Sequence, residues 1–232
     1  QALLRQPHGI ILVTGPTGSG KTSTLYSALR QLATPQANVC TLEDPIEMVE
    51  PAFNQTQVQP AIGLDFANGV RALLRQDPDI IMVGEIRDLE TAQVAIQAAL
   101  TGHLVLASLH TNDACSAIGR LLELGVAHYL IKATLIGVLA QRLVRTLCAA
   151  CKVPAGAVGC RECRHTGYRG RTGVYEVLEL NDRLRGLIGA QCDVLELRRQ
   201  ARNEGMEGLR ENGLRKIAAG VTTQAEVDLI SV

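Results

Sequence analysis

The sequence has 232 residues, 47% of them hydrophobic, with 23 basic and 23 acidic side chains, so it can bury a substantial core but presents no net field toward DNA, RNA or an anionic membrane. Aromatic residues make up 3% with no Trp, which leaves few platforms for stacking single-stranded bases and speaks against a helicase or recombinase. No apolar run is long enough to span a bilayer, and no basic segment leads into a short apolar stretch with a cleavage site, so a soluble cytoplasmic chain that does not bind nucleic acid is the expectation.

The apolar stretch Ile10, Ile11, Leu12, Val13 reads as a buried strand and runs directly into GPTGSGKT, Gly15 to Thr22. This is the GxxxxGK[ST] pattern, whose backbone N–H groups cradle nucleotide phosphates. Helical spacing follows in Leu25, Ala28, Leu29 and Leu32, so strand, loop and helix come in the required order. Val39 to Leu42 is a second strand ending in Glu43, Asp44, Pro45, Ile46 and Glu47. Residues 50–65 lack periodicity and carry Pro51, Pro60 and Gly63, which predicts an irregular connection or hairpin. Phe66, Val70, Leu73 and Leu74 restore helical spacing. Ile80 to Val83 is a third strand, followed by Gly84, Glu85, Ile86, Arg87 and Asp88 and by a helix carrying Val94, Ala95, Ala98 and Ala99. Leu104 to Leu109 is a fourth strand, ending at His110. This alternation predicts an α/β fold with a mainly parallel sheet and function at the strands' carboxyl ends.

From Ala114 to about Val138 the pattern is helical, broken at Gly125, and Gln141 to Leu147 suits a further strand. Cys148 to Gly173 is poor in apolar residues and predicts a loop that needs a staple. Val174 to Leu180 suits a strand, and Arg183 to Val232 reads as short helices divided by Gly189, Gly205, Gly213 and Gly220. The expected organisation is a core over 1–147, a cysteine lobe with an arginine-rich loop over 148–173, and a mainly helical region over 174–232.

Phosphoryl transfer needs positioned phosphates, magnesium, an oriented water and positive charge. Gly15, Pro16, Thr17, Gly18, Ser19, Gly20, Lys21, Thr22 and Ser23 are the expected nucleotide-binding residues. Within them Lys21 reaches the outer phosphates and Thr22 holds magnesium. Glu85 has the place of the acid that follows a Walker B strand, although Gly84 stands where aspartate is commonest. Glu43 and Glu47 are further acids, and spacing alone does not divide the magnesium and water roles between Glu43 and Glu85. His110 is either a phosphate-sensing residue or a structural strand-end histidine. Arg87, Arg142, Arg145, Arg169 and Arg171 are candidates for transition-state charge, in cis or across a subunit interface. Cys148, Cys151, Cys160 and Cys163 form CxxC, eight intervening residues, then CxxC. Four thiolates suit one tetrahedral zinc; disulfides are the rival in a chain with no sign of secretion. Cys40, Cys115 and Cys192 are isolated and read as small buried residues.

Taken together, GPTGSGKT, LEDPIE (Leu42 to Glu47), RQDPDIIMVGEIRD (Arg75 to Asp88), GHLVLASLHTN (Gly102 to Asn112), the paired cysteines and TGYRGRTGVYE (Thr166 to Glu176) resemble the secretion ATPases of bacterial type II secretion and type IV pilus assembly. The resemblance covers nearly the whole chain. It implies a RecA-like P-loop ATPase that works as a homohexamer in the cytoplasm, peripheral at the inner membrane, using ATP, Mg2+ and Zn2+. Implied functional residues are Gly15 to Thr22, Glu43 to Glu47 as an aspartate box, Glu85 as Walker B and His110 as the histidine box; Gly84 is then a family feature. The implied partners are inner-membrane platform proteins of the secretion system, reached largely through an N-terminal region that this sequence lacks, so the C-terminal motor module of a longer protein is expected. The interval between the cysteine pairs is shorter than is usual in the family, and the tetracysteine element itself separates the chain from the retraction ATPases. Type II secretion is the leading expectation and pilus assembly the alternative. A nucleotide-gated scaffold with little turnover and a DNA-transfer motor rank below them.

Overall fold

The computed structural model describes residues 2–152 and 159–230. Strand β1 (Gly9–Thr14) leads through the glycine-rich loop into helix α1 (Lys21–Leu32), followed by β2 (Val39–Glu43), β3 (Asn54–Gln57), α2 (Phe66–Leu73), β4 (Ile80–Val83), α3 (Leu89–Leu100) and β5 (Leu104–Leu109). Then come α4 (Ala114–Glu123), α5 (His128–Thr134), β6 (Leu135–Leu147), β7 (Tyr168–Glu179), α6 (Asp182–Leu187), α7 (Val194–Asn203), α8 (Leu209–Ala218) and α9 (Gln224–Asp228). The seven strands form one sheet in the order β3-β2-β4-β5-β1-β6-β7. Every pairing is parallel except β6 with β7. The α/β, mainly parallel architecture expected from the alternating pattern is therefore present.

Both faces of the sheet are covered, which is why the central strands are buried along their whole length and largely apolar instead of alternating. Ile10 and Leu12 of β1 join Leu42, Ile81 and Val105 in a core closed by α2 to α7. Their neighbours Ile11 and Val13 face the other way, with Met82 and Leu106, against Leu25, Tyr26 and Leu29 of α1. Pairing register brings Thr14 beside Leu109, and Val83 beside Leu42 and Ala107. The residues after β1, β2, β4 and β5 consequently emerge at one edge of the sheet, where ligands bind in open α/β folds.

Three elements differ from expectation. The helical pattern predicted to Val138 ends at Thr134, and Leu135 already belongs to β6. Pairing of this stretch with β1 on one side and β7 on the other overrides its local helical spacing. The stretch read as irregular between 50 and 65 contains the edge strand β3, a polar NQTQ segment held by backbone pairing with β2. Strand β7 begins at Tyr168, inside the segment predicted as a loop, because residues as early as Tyr168 and Arg171 pair with β6. Residues 153–158 of the expected cysteine lobe lie outside the described residues, as do positions 1, 231 and 232. Among the described residues no helix is long and apolar enough to cross a membrane.

Candidate functional site

At the carboxyl edge of the sheet lies a cleft of about 490 Å³, lined by the glycine-rich loop and the start of α1, by Glu43, Asp44 and Glu47, by Glu85 and Arg87, and by Ser108, His110 and Arg171. Four separate strand ends thus bring the loop, Glu43, Glu85, Arg87 and His110 together. Thr14 ties two of those ends: its hydroxyl donates to the Leu109 carbonyl (2.9 Å) and accepts from the Thr111 N–H (2.8 Å).

Gly15, Gly18 and Gly20 have φ of +152°, +77° and +87°, values that L side chains rarely adopt. A Cβ on Gly15 would lie 2.5 Å from both the Gln141 carbonyl and Ser19 Oγ. Ser19 Oγ is the one buried side-chain oxygen or nitrogen among the described residues without a hydrogen-bond partner, and an orphaned hydroxyl within a loop at a helix N-terminus suits an anion. The donor set fits a phosphate-bearing nucleotide. Lys21 Nζ donates to the Gly15 and Pro16 carbonyls at 2.9 and 3.2 Å. Burial pulls the Lys21 ammonium below the ordinary lysine value, opposed first by the Glu85 carboxylate. Thr22 Oγ1 donates to Glu47 at 3.3 Å, which places a hydroxyl and a carboxylate, oxygen ligands of the kind magnesium takes, side by side.

The two principal acids are held differently. Glu43 is 3% exposed and both its oxygens are engaged: Oε2 accepts from the Tyr26 hydroxyl (2.7 Å), Oε1 from Thr41 (2.6 Å) and Gln55 (3.1 Å). Burial and this carboxylate hold the Tyr26 hydroxyl well above the usual tyrosine range. Glu85 is more open. Its Oε2 accepts from Arg87 Nε at 2.8 Å and its Oε1 lies 3.1 Å from His110 Nε2. Arg87 also stands 3.6 Å from Asp44. Gly84 has a steric reason: a Cβ there would meet the Leu42 carbonyl at 3.1 Å and Glu43 Cα at 3.4 Å.

Of the five candidate arginines, Arg87 and Arg171 line the cleft. Arg142 bonds to Asn112, Arg145 to Glu226 with its guanidinium 4.2 Å above the Tyr168 ring, and Arg169 to Glu162. Sequence reasoning missed Gln141, a buried residue of β6 that bonds to both the loop and α1, and the Tyr26 and Gln55 contacts to Glu43. No local motif marks these residues, because each acts on a partner distant in the chain.

The four paired cysteines converge away from this cleft. Their sulfurs all lie within 4.8 Å of one another, with three Sγ···Sγ separations of 3.9 Å, too long for disulfides. The Gly167 N–H donates to Cys163 Sγ at 3.3 Å. Four converging thiols with N–H support are the donor set of a closed structural zinc site. His165 is not part of the cluster. Cys40 and Cys115 are buried, as expected of small core residues, whereas Cys192 is half-buried. Burial pushes the Cys115 thiol up to about 12.

Comparison with known proteins agrees with this geometry. The family model described as Type II/IV secretion system protein matches residues 1–229. The chain is 58% identical over 250 residues to the type IV pilus assembly ATPase TfpB of Acinetobacter baylyi, covering 98% of this chain and 43% of that protein. It is 56% identical over 229 residues to the type II secretion system protein HxcR of Pseudomonas aeruginosa, covering 97% of this chain and 49% of that one. A solved structure of the pilus retraction motor PilT with bound ADP matches 99% of this chain and 63% of its own with a TM-score of 0.78 at 32% identity. The chain spans about half the length of the curated relatives it matches. Since the family model runs almost the full length of the sequence and relatives above half identity cover it throughout, the chain belongs to the Type II/IV secretion system protein family.

Proposed function

We propose that this chain is the motor module of a cytoplasmic ATPase, peripheral at the inner membrane, that hydrolyses ATP to power type II protein secretion through pseudopilus assembly. The observation that carries the reading is the convergence of the phosphate loop, Glu43, Glu85, Arg87 and His110 on one cleft in a chain whose relatives are named as secretion and pilus ATPases. The loop N–H groups would hold the phosphates, and Lys21 would exchange the Gly15 and Pro16 carbonyls for the outer ones. Bound magnesium would supply charge neutralisation there, with Thr22 as its protein ligand. Glu85, the more open acid, polarises the attacking water and takes its proton; Arg87 and His110 fix its orientation. Glu43, with both oxygens engaged, contributes a fixed negative charge to the cleft wall. Ser23 and the loop residues Pro16, Thr17 and Ser19 complete the nucleotide site.

In this reading residues 1–147 form the motor core. Cys148, Cys151, Cys160 and Cys163 hold one structural zinc in the lobe at 148–173, and 174–232 is the accompanying mainly helical region, which opens with the last part of β7. The assembly is a homohexamer working with inner-membrane platform proteins, without nucleic acid. A second reading, a type IV pilus assembly ATPase, is favoured by the 58% identity to TfpB. The 56% identity to HxcR, together with the type II secretion system protein E of Pseudomonas aeruginosa and ATPase E of Vibrio cholerae at 50% and 48%, supports type II secretion. Phosphate release from ATP and magnesium tests the hydrolysis, and absence of turnover in an assembled hexamer would refute it. Deleting the gene separates the two roles: loss of exported proteins with pili intact supports secretion, and loss of pili with export intact overturns it in favour of pilus assembly.

A further inference from the structure

Gln141 lies on β6 one residue beyond Ala140, which pairs with Thr14 at the end of β1, so it stands beside the phosphate loop without belonging to it. It is 2% exposed. Its Nε2 donates to the Ser19 carbonyl at 2.7 Å, and its Oε1 accepts from the Thr24 hydroxyl at 2.6 Å. One amide therefore bridges the end of the loop and the first turn of α1. The two bonds also fix which way the amide faces, since a flip would set Oε1 against the Ser19 carbonyl oxygen.

The bond to Ser19 has a geometric consequence. A trans peptide is planar, with its C=O and N–H pointing in opposite directions, so holding the Ser19 carbonyl on Gln141 turns the Gly20 N–H away from β6. Gly20, at φ +87°, has the backbone freedom to let this peptide rotate, and nothing in its own side chain opposes rotation. A Cβ on Gly20 would lie 2.8 Å from Gln141 Nε2, which shows how closely the amide covers this residue. We propose that Gln141 is a positioning residue for nucleotide: it locks the Ser19–Gly20 peptide so that the Gly20 N–H is held ready for a phosphate oxygen. This rests on the nucleotide-binding reading above and adds a residue outside the loop to it. Its contribution is preorganisation, the avoided cost of ordering a donor at the moment of binding.

The test measures the affinity of the 232-residue chain for AMP, ADP and ATP by fluorescence of labelled nucleotides, together with thermal stability without nucleotide. Gln141→Met keeps the bulk and removes both bonds; Gln141→Glu keeps an acceptor for Thr24 and loses the donor to Ser19. Both are expected to weaken ADP and ATP roughly tenfold or more while weakening AMP less, because the loop N–H groups cradle the α- and β-phosphates and AMP has only the first. Thr24→Val, which leaves the Ser19 bond in place, is expected to show a smaller loss in the same direction and guards against a Gln141 variant that does not fold. Equal proportional losses for AMP, ADP and ATP, or wild-type ADP affinity in a folded Gln141→Met protein, would overturn the assignment. A wild-type chain that binds no nucleotide would overturn the functional reading and this inference with it, whereas a wild type that binds ADP beside an unaffected variant overturns the inference alone.

Discussion

Lys21 and Glu85 sit on different elements of one cleft, and their separate positions predict separable defects. Lys21→Ala removes a charge-assisted donor worth about 1.5–3 kcal/mol, so the Kd for ATP should rise roughly 10- to 100-fold. Glu85→Gln keeps size and hydrogen bonding but loses the proton acceptor, so kcat should fall about 10²- to 10⁴-fold with ATP affinity retained. Binding titrations and single-turnover hydrolysis check the pair, and full turnover by an assembled Glu85→Gln protein would remove Glu85 from its role. Gly84 gives a prediction of another kind. Its N–H donates to the Leu42 carbonyl at 2.8 Å, and an added Cβ would press on that same carbonyl. Introducing the aspartate commonest at this place in other P-loop proteins, Gly84→Asp, should therefore destabilise by about 1–3 kcal/mol through overpacking. An unchanged thermal midpoint would contradict the steric account.

Strands β1, β2, β4 and β5 were legible as continuous apolar runs because both faces of a parallel sheet are covered, and their polar successors marked the site. What escaped was held together over distance. Strand β3 has no apolar run and exists through its ladder with β2; β7 opens on the polar stretch Tyr168 to Thr172, which joins the sheet through its register with the long strand β6; Gln141 acts on a residue 122 positions earlier. The outer elements are fastened by charge as well as by packing. Glu226 of α9 accepts from the Arg145 N–H (2.8 Å) and from its guanidinium (2.6 Å), and these bonds hold the Glu226 carboxyl below the usual carboxylate range despite its burial. A carboxyl depressed in the folded state adds stability above its unfolded value and loses it as pH falls through the folded one. Glu226→Gln should then lower the thermal midpoint at neutral pH, with the gap to wild type closing below about pH 4. A gap that persists at acidic pH would refute the ion pair as its source. For the cysteine cluster, elemental analysis should find one zinc per chain. Cys148→Ser or Cys163→Ser should lose the metal and expose the 148–173 segment to proteolysis while moving ADP affinity far less, since the ligands lie apart from the cleft. Folded, metal-free protein with oxidised pairs would overturn the zinc assignment.

At the scale of the whole molecule the supply of positive charge to the cleft bears on the proposed hydrolysis. Arg142, Arg145 and Arg169 are engaged with Asn112, Glu226 and Glu162. Of the pair on the cleft, Arg87 is bonded to Glu85 and stands near Asp44. Beyond Lys21, Arg171 is the one cleft arginine without an ion pair or side-chain hydrogen bond among the described residues, so few cations of this chain are at liberty to meet the outer phosphates as charge develops on them. Phosphoryl transfer depends on that charge, and an arginine delivered in cis or in trans is worth about 10³ to 10⁵ in rate. The relatives carry roughly as much chain again outside the matched span, and a ring of identical subunits brings a neighbour's surface to each cleft. Either source would complete the site from outside. The 232-residue chain should therefore bind ATP but turn it over slowly in dilute solution, with specific activity rising steeply as protein concentration increases, because assembly is a mass-action step. Fusing the chain to a ring-forming hexamer should raise the rate at low concentration without altering ATP affinity by more than a few-fold. Steady-state phosphate release measured against concentration, with the oligomeric state followed by light scattering, checks both expectations. A chain that is monomeric by scattering and yet as fast per subunit as the enforced hexamer would show that its own residues suffice, and Arg87 or Arg171 would then have to supply the missing charge in cis.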